Sequence, residues 1–150
     1  MGQTLVRNYV HIVFHTKHSQ PIIKPTFEDE LYAYVGGICN KLDCQVIQVG
    51  GHKNHIHILC MLSKNVSLSE LLRNIKTDSS KWVKTKDASL PKTYWQNGYG
   101  AFSVPDKGVK FVKKYIENQH QHHAKMDHKS EYLKMLKDND TEFDERYIWD

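Results

Sequence analysis

Apolar positions along the chain switch between a period of two and a period near 3.6, and the switches divide it into alternating strands and helices. Residues 8–18 are rich in β-branched and aromatic side chains and predict a strand. On it Val13, His15 and Lys17 share one face, and Ile12, Phe14 and Thr16 the other. Pro25 and Thr26 open a predicted helix over 25–42, with Phe27, Leu31, Tyr34, Val35 and Ile38 at helical spacing. A second strand spans 44–49 and is ended by Gly50-Gly51, a third spans 55–62, and 50–54 reads as the connection of a hairpin. A second helix over 67–84 starts at the capping-box signature Ser67-x-x-Glu70 and carries the stripe Leu68, Leu71, Leu72, Ile75 and Trp82. Residues 94–104 read as a loop running into a fourth strand. Pro105-Asp106 opens a third long helix to residue 123, and a shorter helix over 130–137 leads to an acidic tail. No repeat or low-complexity linker interrupts the series, so residues 1–150 predict a single domain.

The order β-α-β-β-α-β followed by helices predicts an α+β, ferredoxin-like fold: a four-stranded antiparallel sheet, two helices on one face, and extra C-terminal helices. The other face of the sheet needs a cover or a ligand. Such a fold says nothing by itself about chemistry.

Composition narrows the class. The chain of 150 residues is 39% hydrophobic and 11% aromatic, too apolar for a disordered segment. No apolar run approaches the ~20 residues of a membrane helix, and residues 1–10 lack the pattern of a secretory leader. Cys39, Cys44 and Cys60 are an odd number with no C-x-x-C pair, which argues against a disulfide scaffold and predicts a cytoplasmic protein. The net charge of +4 is unevenly spread: residues 138–150 hold six acids and one base, so the tail carries −5 and residues 1–137 carry +9. A cationic body points to a polyanion, nucleic acid by default, or to an ordinary solvated surface.

Three groups of residues carry candidate chemistry. His55 and His57, at i and i+2 of the third strand, point to one side with Cα atoms ~6.7 Å apart, so their imidazoles can converge on one cation. They lie on the face away from the two helices, which is expected to be open; exposed polar face residues are the competing reading. His52, in the turn, is a candidate support for the pair or a DNA contact. Two neutral imidazoles leave a divalent ion undercoordinated. A structural zinc site wants four ligands, usually with cysteines at a spacing absent here, so an open site completed by water and phosphate oxygens fits better. Tyr115 and Gln119, at i and i+4 of the third long helix, sit one above the other. A phenol can serve as a nucleophile, though its ordinary pKa of ~10 requires help from a cation or base. Lys113 and Lys114 beside them read as phosphate contacts or solvated charges.

Taken in order, His55-Ile56-His57, the segment Trp95-Gln-Asn-Gly-Tyr-Gly-Ala-Phe-Ser-Val104, and Tyr115 with Gln119 resemble the small single-tyrosine HUH transposases of bacterial insertion sequences, the IS200-like family, with REP-associated tyrosine transposases as relatives. The resemblance runs from the first strand to the closing segment 144–149. It implies that His55 and His57 are metal ligands, that Gln119 is the third ligand, and that Tyr115 is the nucleophile. The second tyrosine of the two-tyrosine relatives is absent from this helix. The implied activity is cleavage and rejoining of single-stranded DNA with hairpin ends through a 5′-phosphotyrosine, using Mg2+ or Mn2+ and no nucleotide cofactor. Unpaired bases would stack on Trp95, Tyr99 or Phe102. Arg73, Lys76, Lys81 and Lys84 would hold a hairpin backbone or form a solvated face. A homodimer is implied, in which the tyrosine helix can serve the histidine pair of the other subunit. The alternatives are a DNA-hairpin-binding protein without strand transfer and a zinc-stabilised structural domain.

Overall fold

Alternation of side chains along a central strand decides which surface becomes core. The computed structural model describes residues 2–150. Its sheet has the strand order β2-β3-β1-β4, with β1 Tyr9–His15, β2 Val46–His52, β3 His55–Met61 and β4 Gly100–Val104, all neighbours antiparallel. Ile12 and Phe14 of β1, with Ile56, Ile58 and Cys60 of β3, turn to one face and pack under α1 Glu28–Lys41 and α2 Leu68–Lys86. These are the first two helices of the predicted ferredoxin-like arrangement.

Local chemistry sets the ends of these elements. Helix α1 begins at Glu28, after a turn through Pro25 and Thr26, and its first turn holds Glu28, Asp29 and Glu30, whose charges complement the helix dipole. It buries Phe27, Leu31, Val35 and Cys39, whereas Tyr34 stays exposed and stacks on Trp82 at 5.4 Å. In α2 the Ser67 hydroxyl accepts from the Glu70 amide at 3.1 Å, and Leu71, Leu72, Ile75 and Val83 form the buried stripe. The sheet continues only to His15 in β1, because the chain turns at His18 and Ser19, which have φ of 57° and 56°. Cys39, Cys44 and Cys60 are buried and free.

The glycine pair does not end β2, contrary to expectation. Gly50 pairs with His57 and Gly51 with Ile56, and only Lys53 and Asn54 connect the hairpin. The reason lies outside the strand. A Cβ on Gly50 would stand 2.7 Å from the carbonyl oxygen of Ile116, so the bare backbone there lets a later helix lie directly on the sheet. Gly50→Ala is therefore expected to push that helix outward and to destabilise the fold by ~1–3 kcal/mol, measurable as a lower Tm.

The third long helix is also broken. A short 3-10 turn, Asp106–Gly108, precedes α3 Val109–Glu117; Asn118 interrupts it at φ −97°, ψ 19°; α4 Gln119–His122 follows. Helix α5 His128–Asp138 starts at Asp127, whose carboxylate accepts from the Ser130 amide at 2.7 Å. These helices cover the second face of the sheet. Ile116 packs on Gly50, and Tyr132 and Leu136 pack on Val13 and Phe102. The face carrying His55 and His57 is thus roofed rather than open, and both residues are buried, at 1% and 0% exposure. The acidic tail folds back too: Phe143, Ile148 and Trp149 join the second apolar cluster, and the Gln96 side chain donates to the carbonyls of Ile148 and Asp150. Among the described residues no helix is long and apolar enough to cross a membrane.

Candidate active site

Period-two alternation sends His55, His57 and Leu59 of β3, and His11, Val13 and His15 of β1, to the roofed face. Register places His15 opposite His55 and Val13 opposite His57. His11 Nε2 and His57 Nδ1 share a hydrogen bond of 2.8 Å. His55 Nδ1 donates to the side-chain oxygen of Asn54 at 3.0 Å, which leaves its Nε2 with a lone pair directed inward.

Helices α3, α4 and α5 close the space from above. Ile116, seated on Gly50, fixes the turn that carries Tyr115. The break at Asn118 does not separate Tyr115 from Gln119, because both reach Glu131 of α5. The Tyr115 hydroxyl donates to Glu131 Oε2, and the Gln119 amide donates to the same oxygen at 3.3 Å. Glu131 Oε1 lies 2.9 Å from His57 Nε2 and 3.5 Å from His55 Nε2. His122 and His123 approach Oε2 at 3.0 and 3.2 Å. The four residues expected from the sequence, His55, His57, Tyr115 and Gln119, therefore meet around one buried carboxylate.

Electrostatics makes this a pocket for a cation. Burial, then the neighbouring His57, holds the His55 imidazole well below its ordinary pKa; burial, then His57, lowers His11 to about 3; burial likewise lowers His122. These rings are neutral at pH 7. Burial raises the Glu131 carboxyl, but contacts from His123, His57 and Tyr115 outweigh it and hold the group well below the carboxylate range. Burial, then Glu131, pushes the Tyr115 phenol upward. The Glu131 carboxylate, beside the neutral rings of His55, His11 and His122, attracts positive charge. Two details fit a divalent ion. With its amide group donating to Glu131, Gln119 turns Oε1 to within 2.9 Å of His55 Nε2, the spacing of neighbouring ligand atoms around one ion. The buried Nε2 of His123 has no hydrogen-bond partner. One ligand atom from each of His55, His57, His123 and Glu131 lies within 4.8 Å of the others.

Glu131, His123, His122 and His11 escaped the sequence reading. Glu131 had a signal: it precedes Tyr132 and shares the inward face of α5 with Leu136, an acid set in an apolar stripe. His11 had one as well, as it alternates with Ile12 and lies on the same face of the strand as Val13 and His15.

The residues expected to meet DNA fall into two groups. Arg73 and Lys81 are exposed on α2, with Lys84 half-buried beside them. Lys113 and Lys114 are exposed on α3; Lys114 borders an open groove of about 400 Å³ with Phe111, Tyr115, Asn118, Gln121, His122 and Lys125. His52 lies at the site's edge, its Nδ1 2.6 Å from His120 Nδ1 and its ring stacked on His123 at 5.7 Å. Three others are turned inward, which corrects the expectation that they are free for DNA. Trp95 is 3% exposed, stands edge-on to Phe14, and spends its N–H on Ser79 at 2.8 Å. Phe102 is 8% exposed between Val13, Tyr132 and Leu136, so neither ring offers a face to a base. The Lys76 ammonium donates to the carbonyls of Gln96, Asn97 and Gly98 at 2.9, 3.0 and 2.7 Å, and burial lowers its pKa to about 8. It pins the loop before β4 instead of reaching outward. Tyr99, half-buried, lies under that ammonium at 5.6 Å.

No curated protein matches the chain in sequence. Its fold recurs among solved structures, including the following two. A Deinococcus radiodurans R1 protein, described as a candidate transposase, superposes with a TM-score of 0.63 at 17% identity, covering 79% of this chain and 96% of its own. A REP-associated tyrosine transposase, solved bound to a REP hairpin, superposes with a TM-score of 0.61 at 13% identity, covering 82% of this chain and 73% of its own. Residues 4–119 match the sequence family described as "Transposase IS200 like", a span that takes in the histidine strand, Tyr115 and Gln119, and the chain belongs to that family.

Proposed function

We propose that the protein is a metal-dependent transposase that cleaves and rejoins single-stranded DNA through a phosphotyrosine at Tyr115. The observation that carries this reading is the convergence of the Tyr115 hydroxyl, the His55–His57 pair and Gln119 on one buried carboxylate. His55, His57 and Gln119 would hold a Mg2+ or Mn2+ ion. When bound, that ion would polarise the scissile phosphate and offset the charge that develops during in-line displacement.

The chain's own groups do the rest. Glu131 Oε2 holds the Tyr115 hydroxyl and orients its oxygen. The phenol gives up its proton as its oxygen attacks phosphorus, the bond from phosphorus to the 3′ oxygen breaks, and that oxygen gains one proton in exchange and leaves as a hydroxyl. The DNA 5′ phosphate stays on Tyr115. Because one phosphate ester replaces another, a second 3′-hydroxyl can reverse the step on a new strand without a nucleotide cofactor. Asn54 fixes the orientation of His55, and His11 that of His57. Lys114 and Lys125 border the groove that reaches Tyr115 and suit the phosphates of an incoming strand. Arg73, Lys81 and Lys84, exposed or half-exposed on α2, suit a hairpin backbone. The hairpin-bound transposase that shares the fold supports hairpin ends as the substrate class.

Incubation with end-labelled single-stranded DNA and Mn2+ tests the reading: a protein–DNA adduct that survives denaturation is expected. Its absence at every divalent ion tried favours a hairpin-binding protein without strand transfer. Affinity should favour a hairpin with a single-stranded flank over blunt duplex. It should also fall steeply with salt as counterions are released, roughly 10³-fold or more from 50 to 200 mM if six or more phosphates are held. Gel-shift titrations at the two salt concentrations measure both.

A homodimer is the assembly proposed, since β2 and β4 leave two sheet edges to protect. Tyr115 bonds Glu131 and lies 5.8 Å from His57 in its own chain, which supports a site completed within one subunit. Mixed Tyr115→Phe and His57→Ala subunits are accordingly expected to show only background cleavage. Recovery of adduct after subunit exchange would place the tyrosine of one chain at the histidines of the other.

A further inference from the structure

The ligand set His55, His57 and Gln119 includes no carboxylate, yet the anion of this site stands among all three. Glu131 belongs to α5, beyond the segment that matches the family, and is 2% exposed. Its two oxygens face different partners. Oε1 is turned to the strand histidines, 2.9 Å from His57 Nε2 and 3.5 Å from His55 Nε2. Oε2 accepts the Tyr115 hydroxyl and the Gln119 amide. His123, with a side chain 3% exposed, points its Nε2 into the same space, 3.2 Å from Oε2 but without the geometry of a hydrogen bond. Around an octahedral ion with bonds of ~2.1 Å, adjacent ligand atoms lie ~3.0 Å apart and opposite ones ~4.2 Å. The spacings found here, from 2.9 Å up to a limit of 4.8 Å, lie close to that range and need only small adjustments to close on one ion.

We propose that Glu131 joins the two halves of the site: through Oε1 it is the charged ligand of the divalent ion, beside His55, His57 and His123, and through Oε2 it positions the Tyr115 hydroxyl. The inference rests on the metal-dependent reading above and deepens it. Gln119 Oε1, 2.9 Å from His55 Nε2, borders the same space as a further oxygen ligand. Two consequences distinguish this set from two histidines and a glutamine. It offers four protein ligands, one of them charged, so the ion binds before DNA arrives. Three imidazoles and one carboxylate also favour Mn2+ over Mg2+, which prefers an oxygen shell.

Calorimetric titration of Mn2+ into the DNA-free protein tests this without any measurement of cleavage. Wild type is expected to bind one ion, and to bind Mn2+ at least tenfold more tightly than Mg2+. Glu131→Gln, which keeps the shape and loses the charge, is expected to bind Mn2+ at least tenfold more weakly, and His123→Ala several-fold more weakly. Tyr115→Phe should bind within twofold of wild type, because the phenol reaches Oε2 and His122 and none of the proposed ligand atoms. If His55→Ala loses the ion while Glu131→Gln binds it like wild type, the ligand role of Glu131 is overturned and the metal reading stands. If His55→Ala also binds like wild type, both fall. Failure of the DNA-free wild type to bind Mn2+ overturns the inference, and Mn2+-dependent adduct formation would still support the function. Should Glu131→Gln not fold, infrared difference spectra of wild type labelled with 13C-glutamate decide the matter: a carboxylate band that shifts on adding Mn2+ supports the ligand, and an unshifted spectrum overturns it.

Discussion

Tyr115→Phe is expected to abolish the covalent DNA adduct, with a loss of at least ~10³-fold against the detection limit of a denaturing gel, while affinity for a hairpin substrate stays within about twofold. The phenyl ring keeps its place beside His57 and His11, whose ring centres lie 5.8 and 6.3 Å away. Only the oxygen that attacks phosphorus is removed. The same oxygen bonds Glu131 in the resting protein, so the variant also loses one hydrogen bond to a buried charge, about 1.5–3 kcal/mol. That loss shows as a lower Tm and distinguishes Tyr115 from a surface tyrosine, whose hydroxyl would leave stability unchanged. An adduct formed by the Phe variant would move the nucleophile elsewhere.

His57→Ala is expected to cost both activity and stability. On an open face the substitution would spare the fold. Here His57 is fully buried, bonded to His11 on one side and to Glu131 on the other. Its removal leaves a cavity between β3 and α5, an unpaired His11 nitrogen and a buried carboxylate with one partner fewer. Together these amount to ~3–5 kcal/mol. For a chain of this size that is a fall in Tm of ~6–20 °C. Added Mn2+ should raise the Tm of wild type by mass action and leave that of the variant nearly unchanged. Thermal scans with and without the ion measure both effects, and an equal Mn2+ response in the two proteins would remove His57 from the ligand set.

Local periodicity made much of this architecture readable. The alternation of Ile12 and Phe14 with His11, Val13 and His15, the stripe of α2 and the Ser67 cap are short-range features, and they appear where the pattern puts them. His55 and His57 point away from α1 and α2 for the same reason. Apart from the break at Asn118, the misreadings involve distant parts of the chain. Gly50-Gly51 looks like a strand end until Ile116 is laid on it. The histidine face looks open until α3, α4 and α5 cover it, and the aromatic run 94–104 looks available until Trp95 finds Ser79 and Phe102 finds Tyr132. Glu131 is an ordinary acid on a surface helix until that helix packs face down. Tyr115 and Gln119 drew attention by their spacing and resemblance, but their common partner twelve or more residues later could be found only in three dimensions.

The central position of β1 in the sheet has a consequence for biosynthesis. Tyr9 pairs with Met61 on one side and with Val104 on the other, so the first strand made is flanked by strands made much later. At translation rates of ~5–20 residues per second, β1 waits several seconds for β3 and longer for β4. Glu131 and the helices that roof the histidines emerge later still. Until then the nascent chain displays two unpaired backbone edges and an uncovered row of imidazoles, able to capture stray metal ions or neighbouring strands. Any synonymous change that slows elongation between residues 61 and 131 would lengthen that exposure without altering one atom of the finished protein.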